Sequence, residues 1–370
     1  MPAQPHAAFV REGSLVTLGP PDARLEAAGA DALRALPGRV AAAMAQGFRF
    51  ACGMIPYECG AHLHRVPAAT AAARVYLYRQ PPQNSALPSP GPFTLTAAFR
   101  AEQSARQYQA ALARIKAYLS AGDCYQVNYA QRFSARWQGD PMAAFLRLLA
   151  AHPAPHACFM RCGDDAVFGV SPERFLRIRG RRVDSEPIKG SRPRGKDQQE
   201  DRALGEALLG HPKDRAENLM IVDLLRNDLG EFCTPGSIRA EPLFELRRFS
   251  NVQHLVSTVH GTLREGIDPL TALIRAFPGG SITGAPKKRA MQIIEELEPA
   301  PRGAYCGTFF HLDEHGNLDS NILIRTLQTD GERIHCHGGG GIVYDSNADE
   351  EYEESWFKVR KLMEALEIQC

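Results

Sequence analysis

Residues 158–178 read CFMRCGDDAVFGVSPERFLRI. Three short apolar runs stand in this stretch, at Cys158–Met160, Val167–Val170 and Phe175–Ile178, and they contain β-branched or aromatic residues. Glycine and polar residues separate the runs, which is the pattern of successive β-strands. We therefore expect sheet structure in this part of the chain.

On either side of this stretch, helical and strand-like patterns follow each other without a regular rhythm. Four helices are expected. The first begins at Glu102 and ends at Gly122, and the second covers roughly Asp201 to Asn227. The third follows Pro286, and the fourth runs from about Asp349 to Leu366. The other expected strands are Tyr125–Phe133, Ile322–Leu327 and Arg333–His337. Because strands and helices do not alternate one to one, the pattern favours an α+β fold over a doubly wound parallel sheet.

The composition excludes several classes of partner. Of 370 residues, 44% are hydrophobic, which predicts a sizeable core. Lys and Arg (43) nearly balance Asp and Glu (42), so the bulk charge attracts neither nucleic acid nor acidic membranes. The nine cysteines form no C-x-x-C pair, and no apolar stretch suits a membrane helix or signal sequence. We expect a cytoplasmic protein with reduced thiols.

A stretch dense in proline and serine, Gln80–Pro92 (QPPQNSALPSPGP), is expected to be a linker. The residues before it are too few and too rich in alanine for a core of their own. We expect residues 1–92 to complete the sheet of the larger unit, which covers residues 93–370.

Three glutamates stand on expected helices in positions that could hold a metal ion. Glu217 shares a helical face with apolar residues, where a lone carboxylate must be protonated, paired or bound to metal. Glu351 and Glu354 lie one turn apart on the last helix, with Lys358 one turn further on. Such an oxygen-only set suits Mg²⁺, which takes few protein carboxylates. Two plainer interpretations stay open: a buried salt bridge from Glu217 to Arg289, and a solvated acidic face on the last helix.

Two glycine-rich segments and one lysine are further candidates for ligand contact. Residues 277–287 read FPGGSITGAPK, with Pro286 near a helix start whose free N–H groups favour an anion. Residues 337–343 read HGGGGIV, and such a run of glycines lets the backbone approach a ligand closely. Lys189 lies in EPIKGSRPRG (186–195), where burial would depress its pKa and make the amine nucleophilic. Turns and an exposed loop lysine are the alternatives.

Seven motifs, in order along the chain, together resemble the chorismate-utilising enzyme family. They are GDCYQVN (122–128), SPERF (171–175), PIKGSRPRG (187–195), DRAENLMIVDLLRNDLG (214–230), PGGSITGAPK (278–287), DSNILIRT (319–326) and GGGGIVYDS (338–346). The resemblance runs from about residue 100 to 365, with a fainter echo at 50–67. It implies an anthranilate-synthase-like α+β fold, with large, mostly antiparallel sheets in a sandwich flanked by helices. It also implies that residues 93–370 form a chorismate-binding catalytic domain.

Two positions indicate the branch of the family. Members that add water to chorismate have a lysine base in the first motif, where this chain has Gln126. Members that make anthranilate resemble PIAGT in the third motif, where this chain has Lys189. The resemblance therefore implies the branch that transfers an amino group to make 4-amino-4-deoxychorismate for para-aminobenzoate and folate. Anthranilate formation and a non-catalytic chorismate-binding subunit are the alternatives.

The resemblance also implies a role for each matching residue. Lys189 is the covalent nucleophile, Glu173 the proton donor, and His254 a catalytic residue that positions the leaving hydroxyl, with a packed histidine at a strand start as the alternative. The implied ligands of Mg²⁺ are Glu217, Glu354 and, through water, Glu351. The implied substrate-binding residues are Gly190, Ser191, Thr283, Tyr305, Arg325, Gly339, Gly340, Gly341 and Lys358.

The implied reaction requires ammonia and a matched pair of protonation states. No glutaminase segment is evident, so the resemblance implies ammonia from solution or from a separate glutamine amidotransferase subunit. Burial would favour the uncharged forms of Glu173 and Lys189, which are the forms this chemistry needs.

Overall fold

The structure is a computed structural model that describes residues 5–82, 90–249 and 252–367. Residues 83–89, which make up most of the expected linker, lie outside the described residues. Two large sheets pack face to face, and helices pack against them. Every strand pairing in the described ranges is antiparallel. The expected α+β sandwich flanked by helices is confirmed.

The secondary-structure elements are numbered here in chain order. The strands are β1 (Ala7–Arg11), β2 (Ser14–Leu18), β3 (Ala23–Ala28), β4 (Phe50–Ile55), β5 (Ala72–Tyr78), β6 (Phe93–Leu95), β7 (Arg100–Ala101), β8 (Gln126–Gly139), β9 (His156–Cys162), β10 (Asp165–Ser171), β11 (Arg174–Arg179), β12 (Arg182–Glu186), β13 (Ile188–Pro193), β14 (Arg239–Ala240), β15 (Glu245–Arg248), β16 (Val252–Val256), β17 (Val259–Thr262), β18 (Gly284–Ala285), β19 (Thr308–Asp313), β20 (Leu318–Asn321), β21 (Thr326–Asp330) and β22 (Arg333–Ile342). The helices are α1 (Ala30–Ala45), α2 (Tyr57–Leu63), α3 (Ala105–Ser120), α4 (Pro141–Ala151), α5 (Gln198–Gly210), α6 (Pro212–Gly230), α7 (Pro269–Ala276), α8 (Lys287–Leu297) and α9 (Ala348–Glu367), with a 3₁₀ turn at Gly280–Ile282.

The strands form two large sheets and one small one. Sheet 1 has the order β18-β8-β22-β21-β10-β9-β1-β2, and the short strands β6 and β7 also pair with β8. Sheet 2 has the order β14-β17-β12-β11-β20-β19-β4-β5-β3. Sheet 3 consists of β13, β16 and β15 in that order. Strands before residue 92 are present in both large sheets.

Alternation along the strands shows why both faces of each large sheet are apolar. On β10, Val167 faces the core between the sheets, whereas Phe168 packs with α4 and α9 on the other face. On β4, Phe50 faces the core between the sheets, whereas Ile55 packs with the helices over sheet 2. Successive side chains of a strand point to opposite faces, so strands covered on both sides read as continuous apolar runs. Full burial of one such side chain contributes roughly 1.5–3 kcal/mol.

One expected helix is in fact two. The prediction of a single helix over Asp201 to Asn227 is wrong, because α5 ends at Gly210 and α6 begins at Pro212. His211, between them, is extended (φ −74°, ψ 112°), as the residue before a proline prefers to be. Its Nδ1 accepts a hydrogen bond from the backbone N–H of Asp214 and so caps α6.

The expected strand Ile322–Leu327 is also interrupted. β20 ends at Asn321 in sheet 2, and β21 begins at Thr326 in sheet 1, so residues 322–325 carry the chain from one sheet to the other. Arg325 completes this crossing in the left-handed region, at φ 52°. The crossing matters because it brings the arginine to the candidate site.

The glycine run after His337 is a strand and not a turn. Gly338 to Gly341 belong to β22 and pair with Gln131 to Asn128 of β8. β21 pairs only with residues 333–336 of β22, so the glycines have a strand partner on one side alone. A Cβ on Gly338 would lie 2.0 Å from the Ser355 carbonyl oxygen of α9, which shows why the helix can pack here only on glycine.

No helix in the described part of the chain is long and apolar enough to span a membrane.

Candidate active site

A cavity of about 540 Å³ lies where β22, β13, α6 and α9 meet. The predicted site residues that line it are Glu173, Lys189, Gly190, Ser191, Glu217, His254, Tyr305, Arg325, Gly339, Gly341, Glu351, Glu354 and Lys358. Thr283 does not line it, because its hydroxyl donates to the Gly279 carbonyl within the glycine-rich turn. Gly340 lies beneath the acidic side chains of α9 and does not line the cavity directly.

Gly190 shapes the strand that presents Lys189. β13 loses its register with β16 between Ile188 and Ser191, and Gly190 has φ +77°. A Cβ on Gly190 would lie 2.8 Å from Leu208 Cδ1 and 2.9 Å from Asp214 Cγ. Glycine is therefore required at position 190 for two reasons: the backbone is left-handed there, and α5 and α6 approach it closely.

Burial disfavours the charged forms of both Lys189 and Glu173. Burial, and then repulsion from Lys358, lowers the pKa of the Lys189 amine, although nearby carboxylates act in the other direction. Burial raises the pKa of Glu173 to about 7, against the opposing effect of Lys189. Glu173 is only 7% exposed, and the Ser281 hydroxyl donates to its Oε1 at 3.5 Å. Near neutral pH, much of Glu173 is therefore protonated, as the sequence-based hypothesis requires.

His254 reaches the cavity from β16. Its Nδ1 lies 2.7 Å from the Ser191 hydroxyl of the neighbouring strand. Burial, followed by the positive charge of Arg325, lowers the pKa of His254 to about 4. The imidazole is consequently neutral at physiological pH, and its contact with the Ser191 hydroxyl holds it beside β13, the strand that carries Lys189.

Arg325 presents an unpaired guanidinium group to the cavity. No carboxylate in the described residues forms a salt bridge with it, and burial lowers its pKa. An arginine held this way favours an anionic ligand, because its planar fork can bind a carboxylate through two hydrogen bonds. Tyr305 lines the same cavity, and a buried Arg302 lies over its ring at 5.6 Å.

The acidic residues of α9 converge above Gly340. A Cβ on Gly340 would lie 3.1 Å from Glu351 Oε2 and 3.3 Å from Glu354 Oε1. Burial raises the pKa of Glu351. Lys358, 2.5 Å from Glu354, holds the pKa of Glu354 below its usual value, and the Glu354 side chain is about half exposed (47%). Lys358 also donates to the Gly339 carbonyl at 2.8 Å. The solvated acidic face considered for α9 is thus wrong for Glu351, which is 8% exposed.

These carboxylates have the donor chemistry that Mg²⁺ prefers. Glu351 and Glu354 offer oxygen atoms from one helix, and Glu217 lines the same cavity from α6. Arg289, the partner considered for Glu217, pairs with Asp123 instead. Among residues 5–82, 90–249 and 252–367, no group of three His, Cys, Asp or Glu side chains is placed to hold a metal ion. Two converging carboxylates still fit an ion that completes its shell with water and substrate.

Several polar residues at the site were missed as candidates from the sequence, and two of them have a buried polar atom without a partner. Asn128 and His337 line the cavity, and Asn128 Oδ1 and His337 Nε2 are buried without a hydrogen-bond partner. Both stand inside quoted segments, GDCYQVN and HGGGGIV, but nothing in a single sequence shows which of these side chains face the ligand. Behind them, Arg302 forms a buried, bidentate pair with Glu298 and donates to the Asn128 carbonyl.

All seven motifs contribute to this one cavity. One lining residue from each, in chain order, is Asn128, Glu173, Lys189, Glu217, Ser281, Arg325 and Gly339. In sequence comparison, the profile described as chorismate binding enzyme matches residues 78–364. The chain belongs to this family.

Several chorismate-binding enzymes are similar over most of the chain. Aminodeoxychorismate synthase component 1 of Klebsiella aerogenes is 49% identical over 275 residues, which cover 74% of this chain and 61% of that protein. Anthranilate synthase component 1 of Thermus thermophilus is 43% identical over 272 residues, which cover 74% and 59%. The solved anthranilate synthase component I of Streptococcus pneumoniae superposes with a TM-score of 0.77 at 26% identity, covering 98% of this chain and 93% of that one.

The match spans about six tenths of the length of the first two of these relatives. The expected resemblance to the chorismate-utilising family, and to aminodeoxychorismate synthase component 1 within it, is confirmed.

Proposed function

We propose that this chain is the chorismate-using component of an aminodeoxychorismate synthase. The observation that carries the proposal is the pairing of Lys189, whose pKa burial lowers, with Glu173, whose pKa burial raises to about 7, in one cavity. A neutral amine and a protonated acid are the two groups needed to replace a hydroxyl through a covalent intermediate. The relative from Klebsiella aerogenes supports this branch by its name and identity.

The two carboxylates of chorismate are assigned to two different sides of the cavity. Chorismate carries two carboxylates, and the unpaired Arg325 is suited to one of them. The ring carboxylate is assigned to the α9 side, where the converging Glu351 and Glu354 would hold Mg²⁺ and Glu217 lines the same cavity from α6. When bound, the ion supplies positive charge that withdraws electron density from the ring diene. Tyr305 and the backbone of Gly339 and Gly341 complete the contacts.

The reaction proceeds in two substitutions. The neutral Lys189 amine forms a bond to C2 of the ring, the double bonds shift, and the C4–O bond breaks. The proton of Glu173 leaves with the departing hydroxyl as water. Ammonia then forms a bond to C4, the double bonds shift back, and the C2–N bond to Lys189 breaks after a proton returns to the lysine. The sum is chorismate plus ammonia to 4-amino-4-deoxychorismate plus water, with the enolpyruvyl group retained.

Anthranilate formation is the competing function, because a relative with that name is 43% identical. Lys189 argues against it, since a nucleophile beside the ring serves the amino-transfer branch. The proposed ammonia source is a separate glutamine amidotransferase, in keeping with the name component 1 of the relatives.

The test combines the chain with chorismate, ammonium chloride and Mg²⁺, and identifies products by liquid chromatography with mass spectrometry. We expect 4-amino-4-deoxychorismate, without fluorescent anthranilate and without pyruvate. Lys189→Ala should abolish the amino product, whereas Lys196→Ala, a change at an exposed lysine of the next loop, should not. Anthranilate and pyruvate from the parental protein would overturn the assignment.

A further inference from the structure

Lys358 holds its ammonium group among the oxygen atoms assigned to the metal ion. Its Nζ lies 2.5 Å from Glu354 Oε1 and donates to the Gly339 carbonyl at 2.8 Å. A Cβ on Gly340 would lie 3.3 Å from the same Glu354 oxygen and 3.4 Å from Lys358 Nζ. It would also lie 3.1 Å from Glu351 Oε2. Two carboxylate oxygens and one positive charge therefore converge on one point above β22, where the glycine leaves room for them.

This contact differs from an ordinary ion pair on a helix surface. Glu354 and Lys358 are one helical turn apart and about half exposed, at 47% and 42%, and such a pair is weak. The additional hydrogen bond to the Gly339 carbonyl ties the ammonium group to β22, beside the cavity that Lys358 lines. The Ser346 hydroxyl donates to Glu351 Oε1 at 2.7 Å, so Oε2 is the oxygen that meets the other two groups.

A metal ion on Glu354 has to compete with this ammonium group for one oxygen. Mg²⁺ binds carboxylate oxygens at about 2.1 Å, so an ion on Glu354 Oε1 would lie within about 5 Å of Lys358 Nζ if the lysine stayed in place. Charges of the same sign at that separation repel each other, and a lysine has a flexible stem on which its charge can move away. Metal binding should therefore break the ion pair.

We propose that the Lys358 ammonium group is an internal counter-ion that holds the place of Mg²⁺ and is displaced when the ion binds. The inference rests on the proposed function for the identity of the metal and of its ligands. Without the ion, the lysine neutralises Glu354 and keeps its carboxylate beside that of Glu351. With the ion bound, the lysine charge is released on the cavity side, where it favours an anionic substrate. The displacement opposes metal binding, so Mg²⁺ alone binds more weakly than the two carboxylates would otherwise allow.

The test is the affinity for Mg²⁺ itself, measured by calorimetric titration with magnesium chloride in the absence of chorismate. Lys358→Met removes the ammonium group and keeps a long, flexible side chain, whereas Lys358→Arg keeps the positive charge. Lys361→Met, at an exposed lysine of α9, is the matched control, because it makes the same change in net charge away from Glu351 and Glu354. The melting temperature of each variant shows whether it is folded.

With Lys358→Met we expect the Kd of Mg²⁺ to fall about 3- to 10-fold, because the repulsion between the two cations is removed. Lys358→Arg should bind Mg²⁺ no more tightly than the parental protein, and Lys361→Met should stay within about 2-fold of it. A lysine that only supports the helix predicts the opposite sign, since its loss would release Glu354 and raise the Kd.

An unchanged or higher Kd in a folded Lys358→Met would overturn the proposal, as would an equal fall in Lys361→Met. The absence of Mg²⁺ binding in both the parental protein and Lys358→Met would also overturn it, because there would be no ion to displace the lysine. The titration does not depend on product formation. If the parental protein forms no amino product, the proposed function fails in that assay, and the Mg²⁺ titration still decides the role of Lys358.

Discussion

Replacing Glu173 by glutamine should stabilise the protein while it removes activity. Burial raises the pKa of Glu173 from its ordinary value of 4.5 to about 7, so the folded state holds this proton more tightly than the unfolded state. Between these two pH values the unfolded state alone ionises, and the stability of the fold declines as pH rises. At about 1.4 kcal/mol for each pKa unit, the full effect is roughly 3 kcal/mol above pH 7. Glutamine resembles the protonated acid and escapes this loss.

The assay is guanidinium denaturation of Glu173→Gln and the parental protein at two pH values. We expect the variant to gain about 3 kcal/mol in unfolding free energy at pH 8, and roughly half as much at pH 5.5. Glu206→Gln, at an exposed position of α5, controls for a carboxylate-to-amide change and should show no such dependence. A gain that is equal at the two pH values, or a loss at pH 8, would refute the burial argument.

The same variant tests catalysis. Without the proton donor, we expect kcat for the amino product to fall by about 100-fold or more. In the parental protein, kcat should decline as pH rises through about 7, because Glu173 loses its proton there. A variant that retained full kcat would show that the proton comes from elsewhere.

Three further predictions concern other parts of the cavity. Gly190→Ala should cost about 2–5 kcal/mol of stability, from the left-handed backbone and the clash with α5 and α6, whereas Gly180→Ala, at φ +57° with nothing within 4 Å, should cost only about 1–2 kcal/mol in the same denaturation assay. Arg325→Met should raise the KM for chorismate roughly 10- to 100-fold, because it removes a charged hydrogen bond to a carboxylate; an unchanged KM would contradict that contact. Glu354→Gln should raise the Mg²⁺ concentration for half-maximal activity about 10-fold or more, whereas the exposed Glu353→Gln should leave it unchanged.

The sequence predicted those features that depend on local periodicity. The apolar runs at Val167–Val170 and Phe175–Ile178 lie within β10 and β11, and the final helix begins at Ala348. The break at His211 was missed although Pro212 was visible, because a helical pattern continues on both sides of it. A turn at the glycines after His337, the alternative considered from the sequence, does not occur because these residues continue β22, and only the packing of α9 shows why a strand there lacks side chains.

The sequence predicted many of the residues that line the candidate site, but not which of their charged or polar groups are left without a partner. Motifs indicated that Lys189 and Glu217 would share a site, and both line the cavity. The absence of any ion pair at Arg325 and the unpaired Nε2 of His337 depend on contacts between distant parts of the chain. No single-sequence pattern encodes such contacts, because they arise only when both sheets and α9 are assembled.

The central claim is that Lys189 bonds covalently to the substrate ring. Its most direct test is mass spectrometry of the intact protein after incubation with chorismate and Mg²⁺ in the absence of ammonia, followed by peptide mapping. We predict a mass increase equal to chorismate minus one water, located on Lys189, which disappears when ammonium chloride is added and 4-amino-4-deoxychorismate is released. Turnover to that product by a Lys189→Ala variant at the parental rate, or an adduct on another residue, would contradict the account.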